Sequence, residues 1–192
     1  MTDVDAWQSA NVEDLWLFDK LLLSRRLGYC CGPSCVPVPR PATYIVRPVT
    51  NLAGMGISAK FEYLTSSTLH LEPGYFWCER FTGPHLSVDY EYGEPVLSVR
   101  GFRDSEAPLW RWSRWQVTNT VLPVPLPELA KFPKLNCEFV GGSAIEVHLR
   151  HNPDFQYSNT VATPVWEDQE VDPALNFVAS PDYKRKGFYV NN

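Results

Sequence analysis

Residues 44–57 run Tyr-Ile-Val-Arg-Pro-Val-Thr-Asn-Leu-Ala-Gly-Met-Gly-Ile, an apolar strand that closes on a cation and passes into a short loop carrying Gly54 and Gly56. A side chain at either glycine would stand between the loop's backbone amides and a bound anion, so the loop suits folding over phosphates. No Gly-Lys-Ser or Gly-Lys-Thr ending follows, and residues 57–60 read as the start of a second strand. Both points exclude the phosphate loop that opens a helix. Two strands joined by a glycine loop remain, and such a loop is also commonly an ordinary turn.

The 192 residues are 44% hydrophobic and 14% aromatic, which demands a packed core, while 17 prolines and 11 glycines imply many short elements between rigid turns. The net charge is −5 with Lys and Arg scattered, so no nucleic-acid footprint is expected. The acidic start lacks an apolar signal core, and no run approaches the ~18 apolar residues of a membrane span. Cysteines at 30, 31, 35, 78 and 137 are odd in number, which fits reduced thiols and a cytoplasmic setting. Zinc at Cys30, Cys31 and Cys35 is disfavoured, because adjacent cysteines rarely reach one ion and no Cys-x-x-Cys pair follows.

Apolar residues at 15, 18, 22, 23 and 27 predict one helix over 12–28, stopped by Gly28. Strands are expected at 44–46, 60–64, 75–81, 86–92, 95–100, 135–140 and 144–149, with a short helix at 127–132. Trp110 to Trp115 reads as a half-buried element, with base stacking as the weaker alternative. Everything after Asn152 reads as irregular. In the last hairpin Glu146 and His148 share a face, and Glu138 joins them if the register allows. With Arg150 and Asn152 they form a set able to hold Mg²⁺ against phosphates, or simply a solvated polar face. Without a cation, the charge of Glu146 would be unfavourable there.

The order of features over residues 19–152 resembles the ATP-grasp superfamily of carboxylate ligases. Asp19-Lys20 matches its opening helix, Arg47-Pro48 and the Gly54-Met55-Gly56 loop its strand and flexible cover, and residues 78–89 its interlobe segment. The strands around Glu138 and around Glu146, His148 and Arg150 match its metal-binding end. The resemblance implies an α+β fold of two lobes on antiparallel sheets with flanking helices and a nucleotide cleft between them. The lobes would span about 15–80 and about 81–155 within a domain at 12–155, followed by an irregular extension at 156–192.

It also implies ATP held by Lys20, Arg47, Gly54, Met55, Gly56, Glu79, Phe81 and His85, metal at Glu138, Glu146 and His148, and Arg150 as the catalytic cation. Small-molecule or peptide carboxylates and amines would be the substrates, joined through an acylphosphate. Arg47, His85 and His148 depart from the family's usual residues at their positions, and a histidine ligand admits Mn²⁺ beside Mg²⁺. Few residues precede Lys20, which leaves no space for the family's leading domain. These departures motivate the alternative, a non-catalytic module that binds a protein partner.

Overall fold

The computed structural model describes residues 1–50, 52–54, 56–68, 70–155 and 160–191. Two antiparallel sheets carry an α+β fold. The smaller sheet, in the order β1-β4-β2-β3, is built from β1 (Cys31–Pro33), β2 (Ala42–Pro48), β3 (Lys60–Leu64) and β4 (Tyr75–Glu79). The larger begins with β5 (His85–Glu91), β6 (Glu94–Phe102), β7 (Arg114–Val117), β8 (Leu135–Val140) and β9 (Ser143–His148). It is completed by β10 (Val161–Trp166), β11 (Phe177–Asp182) and β12 (Arg185–Asn191), in the order β11-β12-β10-β7-β6-β5-β8-β9.

The last three strands correct the expectation of an irregular extension. Pro164 and Pro181 mask them in the sequence, since proline cannot donate to a ladder. Pro164 is tolerated because β10 pairs with β7 only through Val161 and Ala162, leaving that side of the strand open beyond them.

The helix expected over 12–28 is two elements, a 3-10 helix (Val12–Phe18) and a helix at Lys20–Arg26. Asp19 divides them: its backbone is extended, and its carboxylate accepts from Leu22 N at 2.7 Å, capping the second helix. A further helix, α1 (Asp3–Ser9), precedes them and is closed by a capping box between Thr2 and Asp5. The Lys20–Arg26 helix, α2, lies between the sheets. Leu23 enters the core of the large sheet, while Leu21 packs against Cys31, Phe76 and Cys78 of the small one.

Period-two alternation divides the faces of the large sheet. Leu86, Val88 and Tyr90 of β5, with Leu135, Cys137 and Phe139 of β8, pack on Leu17, Leu23 and Leu129. Ser87, Asp89, Asn136 and Glu138 therefore point the other way. A bulge interrupts the β8–β9 hairpin, because Glu138 pairs with Glu146 and Phe139 with Ala144, so Ile145 is the extra residue. The tryptophan segment is half-buried: Trp115 lies in the core with Val99 and Phe188, and Trp110 meets Trp166 edge-on at 5.2 Å.

Candidate functional site

The face of the large sheet that carries Ser87, Asn136 and Glu138 encloses, with β2, the glycine loop and α1, a cavity of about 1160 Å³. Its polar end follows from register. Glu138 stands directly across from Glu146 and Asn136 across from His148, so the pairing unites all three residues of the terminal hairpin on one face. Asn136 Nδ2 donates to Ser87 Oγ and Asp89 Oδ1, both at 2.8 Å, and Asn152 N donates to Asp89 Oδ1 at 2.8 Å. Burial pushes the Asp89 carboxyl up despite these donors.

Each acid of the hairpin meets a basic side chain. Lys20 Nζ lies 2.7 Å from Glu146 Oε1, with side chains only 7% and 10% exposed. His85 Nε2 is 3.3 Å from Glu138 Oε2 without a directed hydrogen bond. Burial pushes the Glu138 carboxyl up, but His85, His148 and Lys20 outweigh it and leave it lowered.

His148, the third metal ligand the sequence suggests, lies between Asp3 and Glu146. Its Nδ1 donates to Asp3 Oδ1 at 3.0 Å, and its Nε2 is 3.8 Å from Glu146. Burial disfavours the imidazolium, yet Asp3 and Glu146 raise its pKa overall. With Nδ1 engaged by Asp3, Nε2 is the ring nitrogen that faces Glu146. Arg150 Nη2 donates to the other Asp3 oxygen at 2.6 Å. Burial would raise the Asp3 carboxyl, but His148 and Arg150 hold it at about 2.

That depression has a defined acid signature. Asp3 contributes stability that is complete above the unfolded aspartate value of about 3.9 and is lost as pH falls toward 2. Amide exchange in α1 is expected to accelerate through that window, and to stay acid-insensitive in Asp3→Asn.

Arg47 lines the cavity and also ties the sheets together. Its Nη1 donates to the carbonyl of the bulged Ile145 at 2.9 Å, its Nη2 reaches Ser24 Oγ at 3.5 Å, and its buried Nε has no partner among the described residues. Gly54 and Gly56 line the same cavity with φ of +66° and +64°. Among the described residues a Cβ on either would meet nothing closer than 3.9 Å, and the positive φ alone favours glycine at both. Met55 lies outside the described residues.

Phe81 and His85 reach the cavity from the segment joining the sheets. His85 packs on Trp112 and Trp115 with ring centroids 4.5 and 5.6 Å away. Glu79 does not line it. Its carboxylate accepts from Cys30 N at 2.8 Å, and its own N donates to Cys30 O at 2.8 Å, clipping β4 to the entrance of β1. The joining segment is seated on the β8–β9 turn, where Gly141 N donates to Pro84 O at 2.9 Å.

Asp3, Asp89 and Asn136 are site residues that sequence reasoning missed. Asn136 was findable, because it lies two positions from Glu138 on the same strand. Asp3 carried only a helix-capping signal. The five cysteines are free, and burial pushes the Cys78 thiol up to about 12.

Among the described residues no three His, Cys, Asp or Glu side chains form a metal-holding group. Two adjacent carboxylates nonetheless suit Mg²⁺, which usually takes one or two from protein and the rest of its shell from phosphates and water. Glu138 and Glu146 fit that mode. No helix among those residues is long and apolar enough to cross a membrane.

Two antiparallel sheets enclosing a cleft lined by cations, an acid pair and a glycine loop make up an ATP-grasp-like fold. A protein from Archaeoglobus fulgidus described as an ATP-grasp superfamily member is similar in fold, with TM-score 0.52, 14% identity, and coverage of 91% of this chain and 64% of that one. The ATP-grasp ligase PsnB complexed with minimal precursor matches at TM-score 0.40 and 13% identity over 73% of this chain and 53% of its own. D-alanine–D-alanine ligase from Bacillus anthracis matches at 0.42 and 14% over 72% and 59%. The chain thus spans less than two thirds of each of these proteins, and identities this low speak to fold alone. No protein-family profile and no curated protein matches the sequence.

Proposed function

We propose that the chain binds ATP between its sheets and uses it to activate a carboxylate as an acylphosphate for capture by an amine. The observation that supports this most is the approach of Lys20, Arg47, Arg150, the acid pair and the glycine loop to one cavity. In this reading Lys20 and Arg47 neutralise the phosphates, Arg47 through guanidinium donors matched to phosphate oxygens. Gly54 and Gly56 cover the phosphates, while Phe81 and the joining segment flank the base and His85 lies toward the sugar. Arg150 steadies the transferred phosphoryl group or the acylphosphate.

Glu138 and Glu146 would hold Mg²⁺ or Mn²⁺, which supplies charge neutralisation across the phosphates when bound. No side-chain nucleophile is needed. Glu79, engaged with Cys30, is left outside the nucleotide contacts. The carboxylate and amine are small molecules or peptide groups.

A second reading, a binding module without turnover, draws support from the Lys20–Glu146 and Asp3–Arg150 pairs, in which groups suited to the triphosphate already neutralise one another.

Calorimetry and thermal melts with ATP test both readings. Mg²⁺-ATP at 100 times its dissociation constant is expected to stabilise the protein by about 2.7 kcal/mol, and ATP with chelator much less. ADP release with a panel of carboxylates and amines is expected for the ligase. Absence of ATP binding, or binding without ADP release, rejects the ligase and leaves the module, and equal affinity in chelator removes the metal.

A further inference from the structure

Helix α1 is held to the protein by little besides Asp3. Asp3 and Ala6 are its buried residues, while Val4 and Trp7 remain 45% and 44% exposed. Seven residues make a helix with little stability of its own. The carboxylate is presented as a bound oxyanion would be, one oxygen on His148 Nδ1 at 3.0 Å and the other on Arg150 Nη2 at 2.6 Å. It also lies beside the glycine loop, 4.0 Å from where a Cβ on Gly54 would stand.

We propose that His148 and Arg150 form an oxyanion subsite and that Asp3 is its built-in occupant, so that α1 is a plug displaced by an incoming phosphate or carboxylate. The exchange is balanced. The incoming oxyanion inherits both charge-assisted hydrogen bonds, the Asp3 carboxylate returns to water, and the released helix regains conformational freedom. The identity of the oxyanion rests on the nucleotide-ligase reading; the competition for His148 and Arg150 does not.

The test uses wild type, Asp3→Asn, and Thr2→Ala, which weakens the α1 cap without touching the subsite. Binding of inorganic phosphate, acetate and ATP is measured by calorimetry, with hydrogen exchange of the α1 amides followed in the wild type. The expected results are at least tenfold tighter binding of phosphate or acetate to Asp3→Asn, several-fold tighter binding to Thr2→Ala, and faster α1 exchange in wild type at saturation. Gain with phosphate and ATP assigns a phosphoryl group, and gain with acetate alone assigns a carboxylate.

Unchanged or weaker binding to both variants, or greater α1 protection on binding, overturns the plug. Should Asp3→Asn fail to fold, Thr2→Ala and the wild-type exchange decide. Displacement of α1 by phosphate or acetate without any ATP binding sinks the nucleotide reading and keeps the plug. ATP binding with α1 still protected does the opposite.

Discussion

Lys20→Met is expected to lower the unfolding free energy by about 3–5 kcal/mol, because it strands the Glu146 carboxylate in a buried site opposite a second acid. Glu146→Gln should be destabilising for the mirror reason, and the double variant should recover much of the loss, since a buried pair contributes little over neutral groups of similar volume. Urea denaturation of the four proteins in chelator measures the coupling. The sequence alone suggests the reverse for Glu146→Gln, an acid relieved of repulsion when no metal is present. The ammonium 2.7 Å away changes that expectation. Single variants costing less than about 1 kcal/mol each would mean that the pair behaves as a solvated one.

Gly141→Ala is expected to cost about 3 kcal/mol or more, in the range reserved for backbone strain combined with overpacking. Gly141 has φ of +59°, and an added Cβ would fall on the Thr82 carbonyl oxygen, in the segment that joins the sheets. The neighbouring Gly142, at φ +88° with nothing within 4 Å, is the control: Gly142→Ala carries only the left-handed backbone cost of about 1–2 kcal/mol. Thermal melts of both variants separate the two contributions. Equal losses would show that the turn does not seat the joining segment.

Local pattern revealed most of the strands and the polar face of the last hairpin, because alternation on β5 and β8 is uninterrupted where one side meets a core, and Glu146 and His148 both lie beyond the bulge of β9. It could not show what those polar groups meet. Glu146 finds Lys20 from a helix more than a hundred residues earlier, and His148 and Arg150 find Asp3 from further still. Glu79 illustrates the opposite failure. Its place between the lobes suggested a ligand contact, whereas its carboxylate is spent on a backbone amide at Cys30 that no spacing rule announces. Asp19 was read as part of a helix and instead divides two, since a capping carboxylate and an interior one look alike until the backbone is seen.

The strand order has a consequence for synthesis. β7 finds its second neighbour in β10, and Val99 and Trp115 share their core with Phe188 and Val190, which leave the ribosome after every other strand of the sheet. Until then a nascent chain holds a finished β5–β6 hairpin beside an apolar face and an open strand edge. Non-local closure of this kind is slow, and its waiting state is the sort that aggregates or recruits chaperones. Substitutions in β12 should therefore reduce soluble yield in cells more than the stability of the purified protein.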